Sequence, residues 1–282
     1  MPIQSIHDTV KLADGQPMPM EGFGTYKLVS QDVMDRAIQT AWDSGYRLFD
    51  TAQFYHNEKQ LGNALKKLNV PRNQYFLTTK IPEPKQGYQS TLKAVDESLA
   101  NLQTDYLNLI LIHWPIHSEF FNTWRALEKA KADGKVKSIG VSNYHRTHLE
   151  LLHTQAKEMP VVNQIENHPY LSQQPMVDFD RQSHILTQAW SPMGRGAVLQ
   201  DPTIGKIAKA HSKSIAQVVL RWHLQRGVAI IPKSKTPSRI KQNADIYDFQ
   251  LSNHEMKIMN GLNRNQRTGD DPELVYEIEH QY

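Results

Sequence analysis

The sequence predicts a (β/α)8 barrel. Short apolar runs alternate with longer amphipathic stretches almost from end to end. Eight such runs can be counted, each followed by helical spacing. Polar residues fall at or near the C-terminal ends of the runs, which is the face where barrels of this kind carry their active sites.

Taken in order, the segments 9–12 and 16–20 flank Ala13-Asp14-Gly15, and that Asp-Gly turn predicts a hairpin outside the barrel. Strands are expected over 21–27, 47–51, 75–81, 106–114, 136–142, 161–166, 185–190 and 228–232. The runs 107–112 and 229–231 are apolar without alternation, as strands covered on both faces are. Helical spacing occupies 32–44, 58–68, 89–102, 120–133, 148–157 and 175–183. Gly45, Gly134 and Gly227 stand after helices, where a C-terminal cap favours an achiral residue. Segments 203–211 and 214–225 read as two further helices, and 237–247 as the helix after the last strand. The tail 263–282 is polar and expected to be helix-poor. No linker, charge block or short repeat interrupts the pattern, so one domain over 1–282 is expected. A doubly wound open sheet shares the alternation and is the rival architecture.

Composition narrows the function classes. The 282 residues are 39% apolar and 22% charged, which excludes collagen-like and strongly disordered chains and leaves material for a core. Lys and Arg exceed Asp and Glu by 32 − 29 = 3, too little to argue for nucleic acid or an anionic membrane as partner. With no cysteine, a disulfide framework, a thiolate zinc site and a catalytic thiol are all excluded. Residues 1–14 carry no basic segment followed by an apolar one, and no run approaches the ~18 apolar residues of a spanning helix. A cytoplasmic protein is expected. Thirteen histidines invite a metal reading, but His145 and His148 at i, i+3 have no third or fourth ligand nearby, so no metal is expected.

Seven strand ends carry the candidate site: Asp50, Lys80, His113, Ser142–Asn143, Gln164, Trp190 and Lys233. A lysine in an apolar strand mouth must be paired or lose its charge, and Asp50 is the partner that would keep Lys80 protonated. A charged Lys80 beside a phenol would draw a tyrosine pKa down from ~10 toward neutrality, and Tyr55, on the loop after Asp50, is the phenol in reach. His113 would orient a carbonyl oxygen. Together these make a general acid aimed at a carbonyl, as hydride reduction requires.

The residues that carry this chemistry sit in longer motifs. Gly45-Tyr-Arg-Leu-Phe-Asp-Thr-Ala-Gln-Phe-Tyr-His-Asn-Glu58, Leu109-Ile-Leu-Ile-His-Trp-Pro115, Ile139-Gly-Val-Ser-Asn143, Val162-Asn-Gln-Ile-Glu166, Ala189-Trp-Ser-Pro-Met-Gly194 and Ile231-Pro-Lys-Ser234 resemble the signatures of the aldo-keto reductases. The likeness runs from about Val10 to Pro272 and is nearest to the prokaryotic 2,5-diketo-D-gluconate reductase-like members. It implies a (β/α)8 barrel with a C-terminal loop over the active-site face, acting as an NADPH-dependent reductase of carbonyl compounds. By matching positions, Tyr55 would be the proton donor, Lys80 and Asp50 its tuning pair, and His113 the carbonyl orienter.

On the cofactor side the resemblance gives Ser142, Asn143 and Gln164 the carboxamide and stacks Trp190 on the nicotinamide, with Ser191 and Met193 in the same motif. Lys233, Ser234 and Arg239 match a clamp on the adenosine 2′-phosphate, implying NADP(H). Gln242 stands where the family usually has Glu, before the expected Asn243. Tyr26, Phe54, His113 and Trp114 match substrate-pocket positions, and aromatic walls suit a small, partly apolar carbonyl compound. Ile81-Pro82-Glu83 replaces the family's common Leu-Trp, which should widen one wall. Arg267 is a candidate for a substrate carboxylate, with a solvated arginine as the alternative. The implied substrates are small aldehydes, ketones and dicarbonyls such as methylglyoxal, with keto-sugar acids as a further candidate class. The resemblance implies a monomer, with a dimer as the alternative. Two other readings are a nucleotide-sensing binding protein of the same superfamily, which would bind the cofactor and turn over slowly, and an unrelated barrel hydrolase, which would need no cofactor.

Overall fold

The computed structural model describes residues 3–278; the expected domain 1–282 and tail 263–282 include positions outside that range. A two-stranded antiparallel hairpin, β1 (Thr9–Lys11) and β2 (Pro17–Pro19), comes first. Eight parallel strands follow: β3 (Phe23–Gly24), β4 (Leu48–Asp50), β5 (Phe76–Ile81), β6 (Leu107–Ile112), β7 (Val136–Ser142), β8 (Val162–Glu166), β9 (Leu186–Trp190) and β10 (Ala229–Ile230). Each pairs with the next in chain order. Backbone hydrogen bonds then join the last to the first: Gly22 N donates to Ile230 O at 2.8 Å, Ile230 N to Met20 O at 2.9 Å, and Gly24 N to Pro232 O at 3.1 Å. That seam closes the sheet into a barrel and removes the open-sheet rival. It also explains why β3 and β10 are shorter than 21–27 and 228–232, since pairing at the seam is irregular. Gly22 is required there, because a Cβ would lie 2.2 Å from Leu48 Cδ2.

The strands are buried on both faces; every residue of β5 is buried, and β6 is buried except at Asn108. Inside the lower barrel Leu48, Leu109, Leu111 and Val162 pack with Leu12 and Met18 from the hairpin, which plugs that end. Helices α1 (Gln31–Asp43), α2 (Glu58–Lys67), α3 (Tyr88–Leu102), α4 (Phe120–Ala132), α5 (Arg146–His153) and α6 (Gln174–Gln182) surround the sheet. α1 shows the rule: Met34, Ala37, Ile38 and Ala41 form one buried stripe. Each fully buried large aliphatic side chain contributes roughly 1.5–3 kcal/mol. Gly45 caps α1 at φ 99°, and the expected Gly134 and Gly227 also have positive φ.

Between β9 and β10 lie α7 (Pro202–Ala210) and α8 (Ile215–Gln225), and α9 (Pro237–Ala244) follows β10. Three helices depart from expectation. α10 (Asn253–Asn260) was not expected; a Ser252-x-x-Glu255 capping box starts it, with Ser252 N donating to Glu255 Oε2 at 2.7 Å. α11 (Pro272–Ile278) corrects the expectation of a helix-poor tail. Its own polarity hides it; it is held from outside, with Tyr276 packed 4.8 Å from the His148 ring and 6.1 Å from Phe120. α5 begins at Arg146 and ends at His153 instead of spanning 148–157, because the His145 backbone N–H donates to His148 Nδ1 and starts the helix early. Among the described residues no helix is long and apolar enough to cross a membrane.

Candidate active site

At the C-terminal ends of the strands the barrel opens into a cleft of about 920 Å³. Its floor is built from the ends of β4 and β5, the turn after β4 and the residue that follows β6. β4 ends on Asp50, and β5 carries Lys80, whose side chain is fully buried. Lys80 Nζ donates to Asp50 Oδ1 at 2.7 Å and to Thr51 O at 2.8 Å. The second oxygen of Asp50 accepts from Gln164 Nε2 at 2.8 Å, and that amide also donates to Gln188 Oε1. Burial pulls the Lys80 ammonium below its ordinary pKa, and the Asp50 carboxylate opposes that pull.

Tyr55 ends a short 3-10 turn, Gln53–Tyr55, directly above this pair. The turn is fixed from behind: Gln53 Nε2 donates to Ala94 O and Ser98 Oγ, each at 2.7 Å. Buried Asn57 ties the turn to the loop after β3, donating to Thr25 O at 2.8 Å and accepting from Thr51 Oγ1 at 2.7 Å. Lys80 Nζ lies 5.1 Å from the centre of the Tyr55 ring, and Tyr26 and His113 pack on that ring at 4.9 and 5.8 Å.

The expected lowering of the Tyr55 pKa does not hold. Burial, then the charge of Asp50, then Tyr26 hold the phenol well above its usual range. Desolvation is the largest of these effects, and the charge of the buried Asp50 carboxylate adds to it. The phenol is therefore a proton reservoir at neutral pH. His113, buried just after β6, is pushed down to about 3 by burial and then by the Lys80 charge, so its imidazole is neutral.

One wall is a hydrogen-bonded chain. Ser142 Oγ donates to Gln164 O at 2.8 Å, and Asn143 Nδ2 donates to His113 O at 2.9 Å. Asn143 Oδ1 accepts from Trp190 Nε1 at 2.7 Å, which sets the plane of the indole. Asn143 holds φ 62°, a left-handed conformation that asparagine tolerates better than other side chains.

The far end of the cleft is cationic. Lys233, Ser234, Arg239, Gln242 and Asn243 line it from β10 and α9, and Lys27 lines it from the β3 loop. Lys233 is pulled below its ordinary pKa by burial and then by the charges of Lys235 and Lys27. Three ammonium groups that repel one another describe a place where an anion would be stabilised.

The aldo/keto reductase family model matches residues 20–264. The chain belongs to the aldo/keto reductase family. It is 45% identical over 273 residues to the glyoxal reductase of Bacillus subtilis (strain 168), covering 96% of this chain and 99% of that protein. It is 40% identical over 269 residues to the methylglyoxal reductase of Yersinia pestis, covering 94% and 96%. A crystal structure of a Bombyx mori aldo-keto reductase in complex with NADP superposes with a TM-score of 0.89 at 34% identity, covering 95% of this chain and 96% of that one.

In this aldo/keto reductase the cleft gathers Asp50, Tyr55, His113, Ser142, Asn143, Gln164, Trp190, Ser191, Met193, Lys233, Ser234, Arg239, Gln242 and Asn243, together with Tyr26, Phe54 and Trp114. Lys80 lies beneath it, reached through Asp50. The reductase's C-terminal segment reaches the cleft through Asp270. Buried Glu166 anchors it, accepting from Thr268 Oγ1, from Thr268 N at 2.8 Å and from Gly269 N at 3.1 Å. Those bonds and one to His168 outweigh burial and hold the Glu166 carboxyl at about 2. Gly269 presses so closely on Trp190 that a Cβ would sit 2.5 Å from Cη2.

Arg267 is neither in the cleft nor solvated: it contacts His145 Nε2 at 3.1 Å and Asp271 at 3.5 Å. His145 Nδ1 in turn meets Glu273 Oε1 at 2.7 Å, so this imidazole docks the tail. Sequence reasoning missed Thr25, Lys27, Arg195, the anchoring role of Glu166 and the acidic lining by Glu83 and Asp270. Glu166 had a signal as the last residue of a quoted motif, Glu83 as part of the Ile81-Pro82-Glu83 departure at the pocket wall, and Asp270 as part of the C-terminal loop expected over this face.

Proposed function

We propose that this aldo/keto reductase reduces small aldehydes, ketones and dicarbonyls to alcohols with NADPH, Tyr55 being the proton donor. The observation that carries the reading is the stack Asp50–Lys80–Tyr55–His113 on the floor of a cleft whose far end is cationic. The residues present fit the cofactor. Lys233, Arg239 and Ser234 would hold the 2′-phosphate, with Lys27 adding charge; the mutual repulsion of the lysines supports that fit. Asn143, Ser142 and Gln164 would hold the carboxamide beside the fixed Trp190 indole. When bound, NADPH supplies the hydride to the carbonyl carbon.

The chain's own residues do the rest. The neutral imidazole of His113 donates to the carbonyl oxygen and orients it. Tyr55 Oη gives that oxygen its proton, and the phenolate left behind is stabilised by the Lys80 ammonium beneath the ring. Asp50 and the Thr51 carbonyl hold that ammonium in place. The names of the glyoxal and methylglyoxal reductases it resembles support small dicarbonyls as substrates.

Tyr55→Phe tests the reading. It should lower kcat with glyoxal by about 10²–10⁴ while NADPH binding, followed by cofactor fluorescence, is retained. Near-normal turnover in the variant would exclude Tyr55 as the acid. NADPH binding without turnover in the unmodified chain would favour the nucleotide-sensing alternative.

A further inference from the structure

The end of the cleft opposite the cations is acidic. Glu83 enters it from the short 3-10 turn Glu83–Lys85 after β5, and Asp270 enters it from the segment that Glu166 anchors. Among the described residues neither carboxylate is in an ion pair. The cations nearest in sequence are engaged elsewhere, Lys85 with Glu97 and Arg267 with Asp271 and His145. Glu83 Oε2 is buried and has no hydrogen-bond partner. Burial, and then the charge of Asp270, raise the Glu83 pKa. The same cleft holds the catalytic floor, with His113 and Trp114 among its lining residues. A substrate seated on that floor therefore meets two uncompensated carboxylates.

We propose that Glu83 and Asp270 select the charge of the carbonyl substrate, favouring compounds that carry an ammonium group and disfavouring carboxylated ones. This deepens the carbonyl-reductase reading and rests on it. The physical basis is direct. An unpaired carboxylate gains from a cation brought beside it and loses from a second anion, and both effects are larger at half-buried Glu83 than at exposed Asp270. The aromatic side chains of Tyr26, Phe54 and Trp114 accept the apolar body of such a substrate without contributing charge.

Three substrates separate the charge term: benzaldehyde, its para-(2-carboxyethyl) derivative and its para-(2-trimethylammonioethyl) derivative, whose two methylene groups insulate the carbonyl from the charged group. At mildly alkaline pH and low salt, kcat/KM should rank cation, neutral, anion, with about tenfold or more between the extremes. In the double variant E83Q/D270N the cation-to-anion ratio should fall to within about twofold, and each single variant should fall between. The ratio cancels any loss that the substitutions impose on both substrates alike.

A second readout needs no turnover: titration of tryptophan fluorescence with the corresponding benzyl alcohols should give the same charge order in binding. A cation-to-anion ratio near one in the unmodified enzyme, or one unchanged in the double variant, overturns the proposal. Failure of neutral benzaldehyde and glyoxal alike to consume NADPH would instead sink the reductase reading beneath it, and the proposal with it.

Discussion

The two ends of the cleft solve opposite electrostatic problems. At the α9 end, Lys27, Lys233 and Lys235 crowd positive charge around a hollow, as a multiply charged anion requires. At the other end, Glu83 and Asp270 face the cleft without partners among the described residues. Between them the charges are paired: Asp50 forms an ion pair with Lys80, and Tyr55 and His113 both stay neutral. A polar gradient with a neutral centre suits a reaction that needs an anionic cofactor held at one side and a proton delivered at the middle. The lesson is that charge is paired at the floor and left unpaired at the ends.

The largest effect should come from breaking the pairing at the floor. Lys80→Met leaves the Asp50 carboxylate buried with only the Gln164 amide, and breaking a buried pair costs about 3–5 kcal/mol. A fall in melting temperature of about 10 °C and a loss of kcat of at least ~10²-fold are expected, measured by calorimetry and cofactor oxidation. Unchanged stability would mean the pair is not what holds the floor.

The cationic end is probed next. Lys233→Ala combined with Arg239→Ala should raise KM for NADPH by roughly tenfold to a hundredfold, with far less change for NADH. Equal losses for both cofactors would place the anion somewhere else.

The anchor of the acidic end gives a smaller effect. Glu166→Gln weakens the hold on Thr268 and Gly269 and should raise KM for carbonyls several-fold, with faster hydrogen exchange at 267–271. The Glu166 pKa is depressed from 4.5 to about 2, so its contribution is present above pH 4.5 and is lost as pH falls toward 2. The anchor should therefore be insensitive to pH between about 5 and 8, and protection factors at 267–271 that change across that window would contradict it.

A charge remote from both ends serves as a control. Glu21, buried beside Tyr247 at the hairpin end, is raised by burial from 4.5 to about 7. A raised acid contributes stability below its unfolded value and loses it as pH rises through the folded one. Glu21→Gln should thus melt a few °C higher relative to the unmodified chain at pH 8 than at pH 5, with both KM values unchanged. A constant difference across pH would remove Glu21 as the titrating group.

The contrast between the ends also explains what could be read in the sequence. Strand periodicity and strand-end polarity led to Asp50, Lys80, His113, Gln164 and Trp190, which the structure gathers at one face, because a parallel barrel converts position along a strand directly into depth. The cationic end was legible because Lys233, Ser234 and Arg239 share one loop and helix. Lys27 was not, because it arrives from the opposite side of the seam. The acidic end joins the β5 loop to the C-terminal segment, and nothing local in either stretch announces the other. The Tyr55 pKa went the wrong way because the sequence shows the Asp50–Lys80 pair but not how deeply the phenol is buried beside Asp50. α11 and Arg267 were misread for the same reason, since both are held by contacts with α5 and its cap.

The central claim is that proton and hydride meet on this floor. The most direct test is to follow NADPH consumption and alcohol formation together, with glyoxal as substrate. One alcohol formed per NADPH consumed, with both lost in Tyr55→Phe, is the result this account predicts. NADPH bound tightly but neither consumed nor matched by alcohol would contradict it.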